Sequence, residues 1–218
     1  MKWRVALVWC VSLAAAYPGN AADVPRLYFS KSFPGSAPAY VAINVDKTGA
    51  GDYREEEKDD NPLRFQLSEP DVAGMFDLAA KLGYLDHPLE SPLKVAFMGT
   101  KTLRFVDGAR KNEVKFNYSE DPAAQALADW FERISESEQL FTNLEVSAKY
   151  DRLGVMKAVL LLESAYEHKR LVDSAQYLPL LDRIAKNEVY MHQARLRAAS
   201  LADQFRCVAT PCAVTPPK

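Results

Sequence analysis

The feature that most constrains this chain is a change of apolar period between Ser68 and Ile134. Ser68-Glu69-Pro70-Asp71 reads as a helix start. A serine can accept from orphan backbone N–H groups, the proline has no N–H to leave unpaired, and two acids face the positive end of the dipole. Val72, Met75, Phe76, Ala79 and Leu82 then recur at spacings of three and four, and Gly83 offers a left-handed stop. Beyond it the period falls to two. Val95 and Phe97 alternate, then Leu103 and Phe105, then Val114, Phe116 and Tyr118 after a turn at Asp107-Gly108. Asp121-Pro122 opens a second helix, with Ala123, Ala126, Leu127, Trp130, Phe131 and Ile134 on its apolar face. Alternation of this kind leaves one face dry and one wet, which calls for an antiparallel sheet.

Upstream, Val41, Ile43 and Val45 share a face, Asp46-Lys47-Thr48-Gly49 turns the chain, and Gly51 to Glu55 returns beside it. Leu63, Phe65 and Leu67 complete a three-stranded meander. The expected fold is therefore α+β: an antiparallel sheet of about five strands with two helices on one face, followed by an α-helical C-terminal bundle. In the bundle, Leu140, Leu144 and Ala148 suggest one helix, and Leu153, Met156, Val159 and Leu160 another starting after Asp151. Asp173 or Ser174 is expected to cap a third through Leu178, Leu181 and Ile184, and Asn187 a last one reaching Phe205.

The first residues read as a targeting segment. Lys2 and Arg4 precede an apolar run from Val5 to Ala16, and Gly19-Asn20-Ala21 supplies small residues for cleavage. The chain is expected to divide into a signal peptide at 1–21, an α+β domain at 28–136, a helical region at 137–206 and a tail at 207–218. The mature protein would then lie in the periplasm or outside the cell. The whole chain has 27 basic and 29 acidic residues, for a net charge of −2. Loss of Lys2 and Arg4 takes that to −4, which gives no general affinity for nucleic acid. No later apolar run is long enough for an integral membrane span in the mature chain. Cys10 would leave with the signal, so Cys207 and Cys212 form an even pair in an oxidising compartment and are expected to make a local disulfide.

Ser32-Phe33-Pro34-Gly35-Ser36-Ala37-Pro38-Ala39-Tyr40, leading into the strand Val41–Val45 and the turn Asp46-Lys47-Thr48-Gly49, resembles an uncharacterised family of exported bacterial α+β domains. The resemblance covers about residues 28–134 and implies export and fold; it carries no activity. That family often has two cysteines near the positions of Ser32 and Ala37, which this chain lacks.

Candidates for chemistry are few. Asp46, Thr48, Gly51 and Glu57 match positions one, three, six and twelve of a calcium-binding loop, but Ala50 stands where an oxygen ligand is needed and a strand precedes the loop. Glu55, Glu56, Glu57, Asp59 and Asp60 form an acidic cluster that reads as a solvated loop. His87, His168 and His192 lie apart, and Glu163, Glu167 and His168 do not share one helix face. No catalytic residue, metal ligand or cofactor site is assigned. The sequence points to an exported non-catalytic protein that binds another envelope protein or component; if the uncovered sheet face carries Tyr40, Tyr53 or neighbouring side chains as an exposed patch, it would be a partner surface. The rival readings are an envelope hydrolase using acidic-loop carboxylates and a calcium-stabilised structural domain.

Overall fold

A computed structural model describes residues 24–209. Its sheet is built from β1 (Arg26–Ser32), β2 (Tyr40–Asp46), β3 (Ala50–Arg54), β4 (Leu63–Gln66), β5 (Thr100–Asp107) and β6 (Arg110–Phe116). All neighbours are antiparallel, in the order β4-β3-β2-β1-β5-β6. Helix α1 (Glu69–Lys81) follows β4, and α2 (Pro122–Tyr150) follows β6. The chain ends in α3 (Gly154–Glu167), a 3-10 turn (Ser174–Tyr177), α4 (Leu178–Lys186) and α5 (His192–Ala209). The architecture is α+β with a helical C-terminal region.

Local chemistry sets the element ends. Ser68 Oγ accepts from the Asp71 N–H at 3.4 Å, and Gly83 takes the left-handed conformation after α1. Asp121 Oδ1 accepts from Ala123 N at 2.7 Å and Ala124 N at 3.3 Å, so one carboxylate meets two orphan donors of α2. Asp121→Ala should cost about 1 kcal/mol, read as a lowered urea midpoint, with Asp121→Asn recovering most of it. An unchanged midpoint in the alanine variant would mean that the cap contributes nothing. Asp151 Oδ1 accepts from Gly154 N at 3.0 Å where α3 begins.

Three features differ from the sequence expectation. First, the sheet has six strands, because Arg26–Ser32 occupies its centre between β2 and β5. Leu27 and Phe29 do alternate there, but the run is short and its outward residues are Arg26, Tyr28 and Ser30. Second, Val95 and Phe97 do not form a strand. Leu93, Val95, Phe97 and Met98 are all exposed, on an irregular segment held by Asn117, whose side chain accepts from Met98 N at 2.7 Å and donates to the Ala96 carbonyl at 3.0 Å. Third, no break follows Ile134: α2 runs unbroken for 29 residues, through the expected divide at 136/137.

Two clusters of buried side chains result. One lies between the sheet and the helices α1 and α2, and includes Leu27, Phe29, Ile43, Tyr53, Phe105, Met75, Leu127, Phe131 and Ile134. The other joins the second half of α2, at Leu144, to α3, α4 and α5 through Val159, Leu162, Tyr177, Leu181, Leu201 and Phe205. Apolar burial drives both. At their junction, Ser137 Oγ accepts from Val172 N at 3.0 Å, and the Tyr177 hydroxyl donates to the Ser137 carbonyl at 2.6 Å.

Candidate binding face

The helices cover one face of the sheet, and the register defines what the other presents. Leu27, Phe29, Ile43 and Phe105 point into the core, so Arg26, Tyr28, Ser30, Ala42, Asn44, Thr102 and Arg104 point outward. Across the strands these fall into rows. One row reads Arg64, Asp52, Asn44, Tyr28, Arg104 and Glu113; the next reads Arg54, Ala42, Ser30, Thr102 and Lys115. Ala42, Ser30 and Thr102 are small, and Tyr28 and Tyr40 are large. The difference in height leaves a trough of about 520 Å³, lined by these residues with Arg26, Arg54 and Arg104.

Its polar groups are held in place. Asp52 accepts from the Asn44 side-chain amide and lies 3.3 Å from the Arg54 guanidinium. The Arg104 guanidinium sits 4.3 Å from the centre of the Tyr28 ring, a cation–π contact that orients both. Burial, and then the charge of Glu57, raise the Tyr40 phenol above its ordinary pKa. Nε of Arg54 is buried and has no hydrogen-bond partner among the described residues.

A second concavity, of about 310 Å³, lies between the β1–β2 loop and α2. Its carboxylates are paired: Lys31 lies 3.2 Å from Glu132, and Arg170 lies 2.9 Å from Glu136 and 2.7 Å from Asp129. Deeper between the two cores, Glu138 is 1% exposed and accepts from the Gln176 side chain at 3.0 Å. Burial raises its pKa to about 7; the Gln176 hydrogen bond opposes this rise and the charge of Asp173 adds to it.

The residues singled out from the sequence are scattered. Tyr40 faces the trough, whereas Tyr53 is buried under the helices, its hydroxyl donating to Glu55 at 2.7 Å. Parity explains the difference, because Tyr53 pairs with Ile43 and so shares its inward direction. Asp46 Oδ1 accepts from the Thr48 N–H at 2.9 Å, the Thr48 hydroxyl at 2.6 Å and Ala50 N at 3.2 Å, a self-contained turn. Gly51 has a packing reason, since a Cβ there would stand 2.3 Å from the Phe65 ring. Glu55, Glu56 and Glu57 are exposed. Glu163 is bound to Arg197 at 2.6 Å, and His87, His168 and His192 are exposed and apart. Among the described residues no three His, Cys, Asp or Glu side chains converge in a metal-binding group. Cys207 lies in the last turns of α5; Cys212, its expected disulfide partner, lies outside the described residues, as does the expected signal peptide. No described helix is long and apolar enough to cross a membrane.

The arginines of the trough were not singled out in the sequence. Their signal was the polar half of each alternating strand, which becomes informative only once six strands are set in register. Compared with models of protein families and with curated proteins, the chain matches none.

Proposed function

We propose that this is an exported, non-catalytic protein of the cell envelope that holds an envelope component on the uncovered face of its sheet. The observation that carries the reading is the trough across that face, whose volume lies in the range of ligand sites and whose polar groups are fixed by neighbours. Export rests on the basic, apolar and small-residue order of the first 21 residues. The resemblance of the Ser32–Tyr40 segment to a family of exported domains supports the same location. A binding role is favoured over hydrolysis because Glu55, Glu56, Glu57 and Asp60 of the acidic loop are exposed and the carboxylates of the second concavity are tied to Lys31 and Arg170.

The test uses the full secreted chain, immobilised and exposed to envelope extract. Thr102→Trp fills the trough floor with a residue that strands accept readily. It should reduce the retained material by about tenfold, a loss of roughly 1.4 kcal/mol, with no change in melting temperature. N-terminal sequencing of the exported protein should begin just after Ala21. Equal retention by the variant would sink the assignment of the face, and recovery only from the cytoplasm would sink the location.

A further inference from the structure

The uncovered face is positive on an acidic protein. Its outward residues include the basic Arg26, Arg54, Arg64, Arg104, Lys111 and Lys115 against the acidic Asp46, Asp52 and Glu113, while the chain as a whole carries −2. Clustering of one sign on one face focuses the field there and attracts ligands of the opposite sign. Among the described residues neither Arg26 nor Arg104 has a carboxylate within salt-bridge distance. Arg54 has one, and its Nε donor is unmet. Arg104 is held by the Tyr28 ring and Arg54 by its ion pair with Asp52.

The shape narrows the ligand. The floor Arg54-Ala42-Ser30-Thr102-Lys115 crosses four gaps between strands, roughly 19 Å at ~4.8 Å per gap. A ligand lying in it therefore runs across the strands, where no free backbone ladder is on offer. The floor is also shallow, without the separate side-chain pockets by which a groove reads an extended peptide. What it does offer is a dense alternation of hydroxyl, amide and charged groups: Ser30, Thr102, Tyr40, Asn44, Asp52 and the arginines. Asp52 and Glu113 stand between the cations, so the pattern suits single negative charges spaced apart and repels a dense polyanion.

We propose that this trough binds a carboxylated polysaccharide, a chain of hydroxyl-rich rings bearing uronic acids, with Arg54 and Arg104 taking the carboxylates and Ser30, Asn44, Asp52 and Thr102 taking the ring hydroxyls. The inference rests on the reading of the uncovered face as the binding surface and adds the chemical class of its ligand. Guanidinium groups bind carboxylates through paired N–H donors, so loss of one such group is felt strongly.

Calorimetric titration of the full secreted chain with an oligogalacturonate tests this, alongside a neutral gluco-oligosaccharide of equal length and a poly-glutamate peptide of equal charge. The uronate should bind saturably, weaken as salt is raised, and lose about tenfold in affinity in Arg104→Gln and in Arg54→Gln. Lys157→Gln, on the exposed side of α3, should bind as the parent does, and all three variants should melt as the parent does. Absence of uronate binding, equal binding of the neutral sugar or of poly-glutamate, or an equal loss in Lys157→Gln would each overturn the ligand class. If the uronate fails while Thr102→Trp still releases envelope material, only the ligand class falls; if both fail, the binding face falls with it.

Discussion

Replacing Phe131 with alanine should destabilise the protein by about 3–5 kcal/mol, the largest effect expected of any single truncation here. Phe131 is fully buried where α2 meets the sheet, and its ring stacks on Phe29 with centroids 5.0 Å apart and planes within 5°. Truncation removes the transfer free energy of a large ring, leaves a cavity between two rigid elements, and takes away the stacking partner of a second buried aromatic. Phe131→Leu keeps most of the volume and should recover more than half of the loss. Urea titration of both variants measures it. A loss under about 1 kcal/mol for the alanine would mean that the helix and sheet can collapse onto each other, contrary to the close packing described.

The second large effect is a dependence on pH. Glu138 has its pKa raised from 4.5 to about 7 by burial. A carboxyl group whose pKa is higher folded than unfolded binds more protons in the native state across that interval, so stability falls as pH rises from 4.5 to 7. Above pH 7 the full penalty is about 3 kcal/mol, at ~1.4 kcal/mol for each tenfold change in proton affinity. Glu138→Gln keeps the oxygen that accepts from Gln176 and removes the ionisation. The variant should therefore be the more stable protein at pH 8, by up to that amount, and close to the parent at pH 4. Asp173, also raised by burial, shares the direction of the parent's pH dependence but is present in both proteins, so it does not separate them. Coincident unfolding curves for parent and variant at pH 8 would show that Glu138 is solvated in a way its burial denies.

Much of this fold was legible because its boundaries are chemically explicit. Ser68, Gly83, Gly108 and Asp121 each perform the terminal role their residue type implies, and the inward halves of β2, β5 and β6 are the alternating apolar sets. The failures have physical causes as well. Val95 and Phe97 have strand-like spacing, yet β1 takes the place beside β5, and pairing in a sheet is decided by competition between segments far apart in sequence. The continuity of α2 was hidden because its buried stripe changes character. After Ile134 the inward positions are Ser135, Ser137 and Glu138, which read as a surface until the Val172 and Gln176 partners are known. The trough across the uncovered face was least visible of all. An arginine in a strand is read as the wet side of an alternation, and only lateral register turns Arg54, Tyr28 and Arg104 into neighbours across a common trough.

The unbroken α2 has a bearing on how such a protein could engage a large partner. At 1.5 Å per residue its 29 residues extend roughly 44 Å, and each half is anchored in a different core. A flexible tether would leave the sheet and the helical bundle to find a common partner independently, with an effective concentration set by the tether's length. A shared helix fixes the separation and the bearing of the two surfaces in advance. Two weak contacts made by one partner would then add with little further loss of freedom, and a partner with a different spacing would engage only one of them.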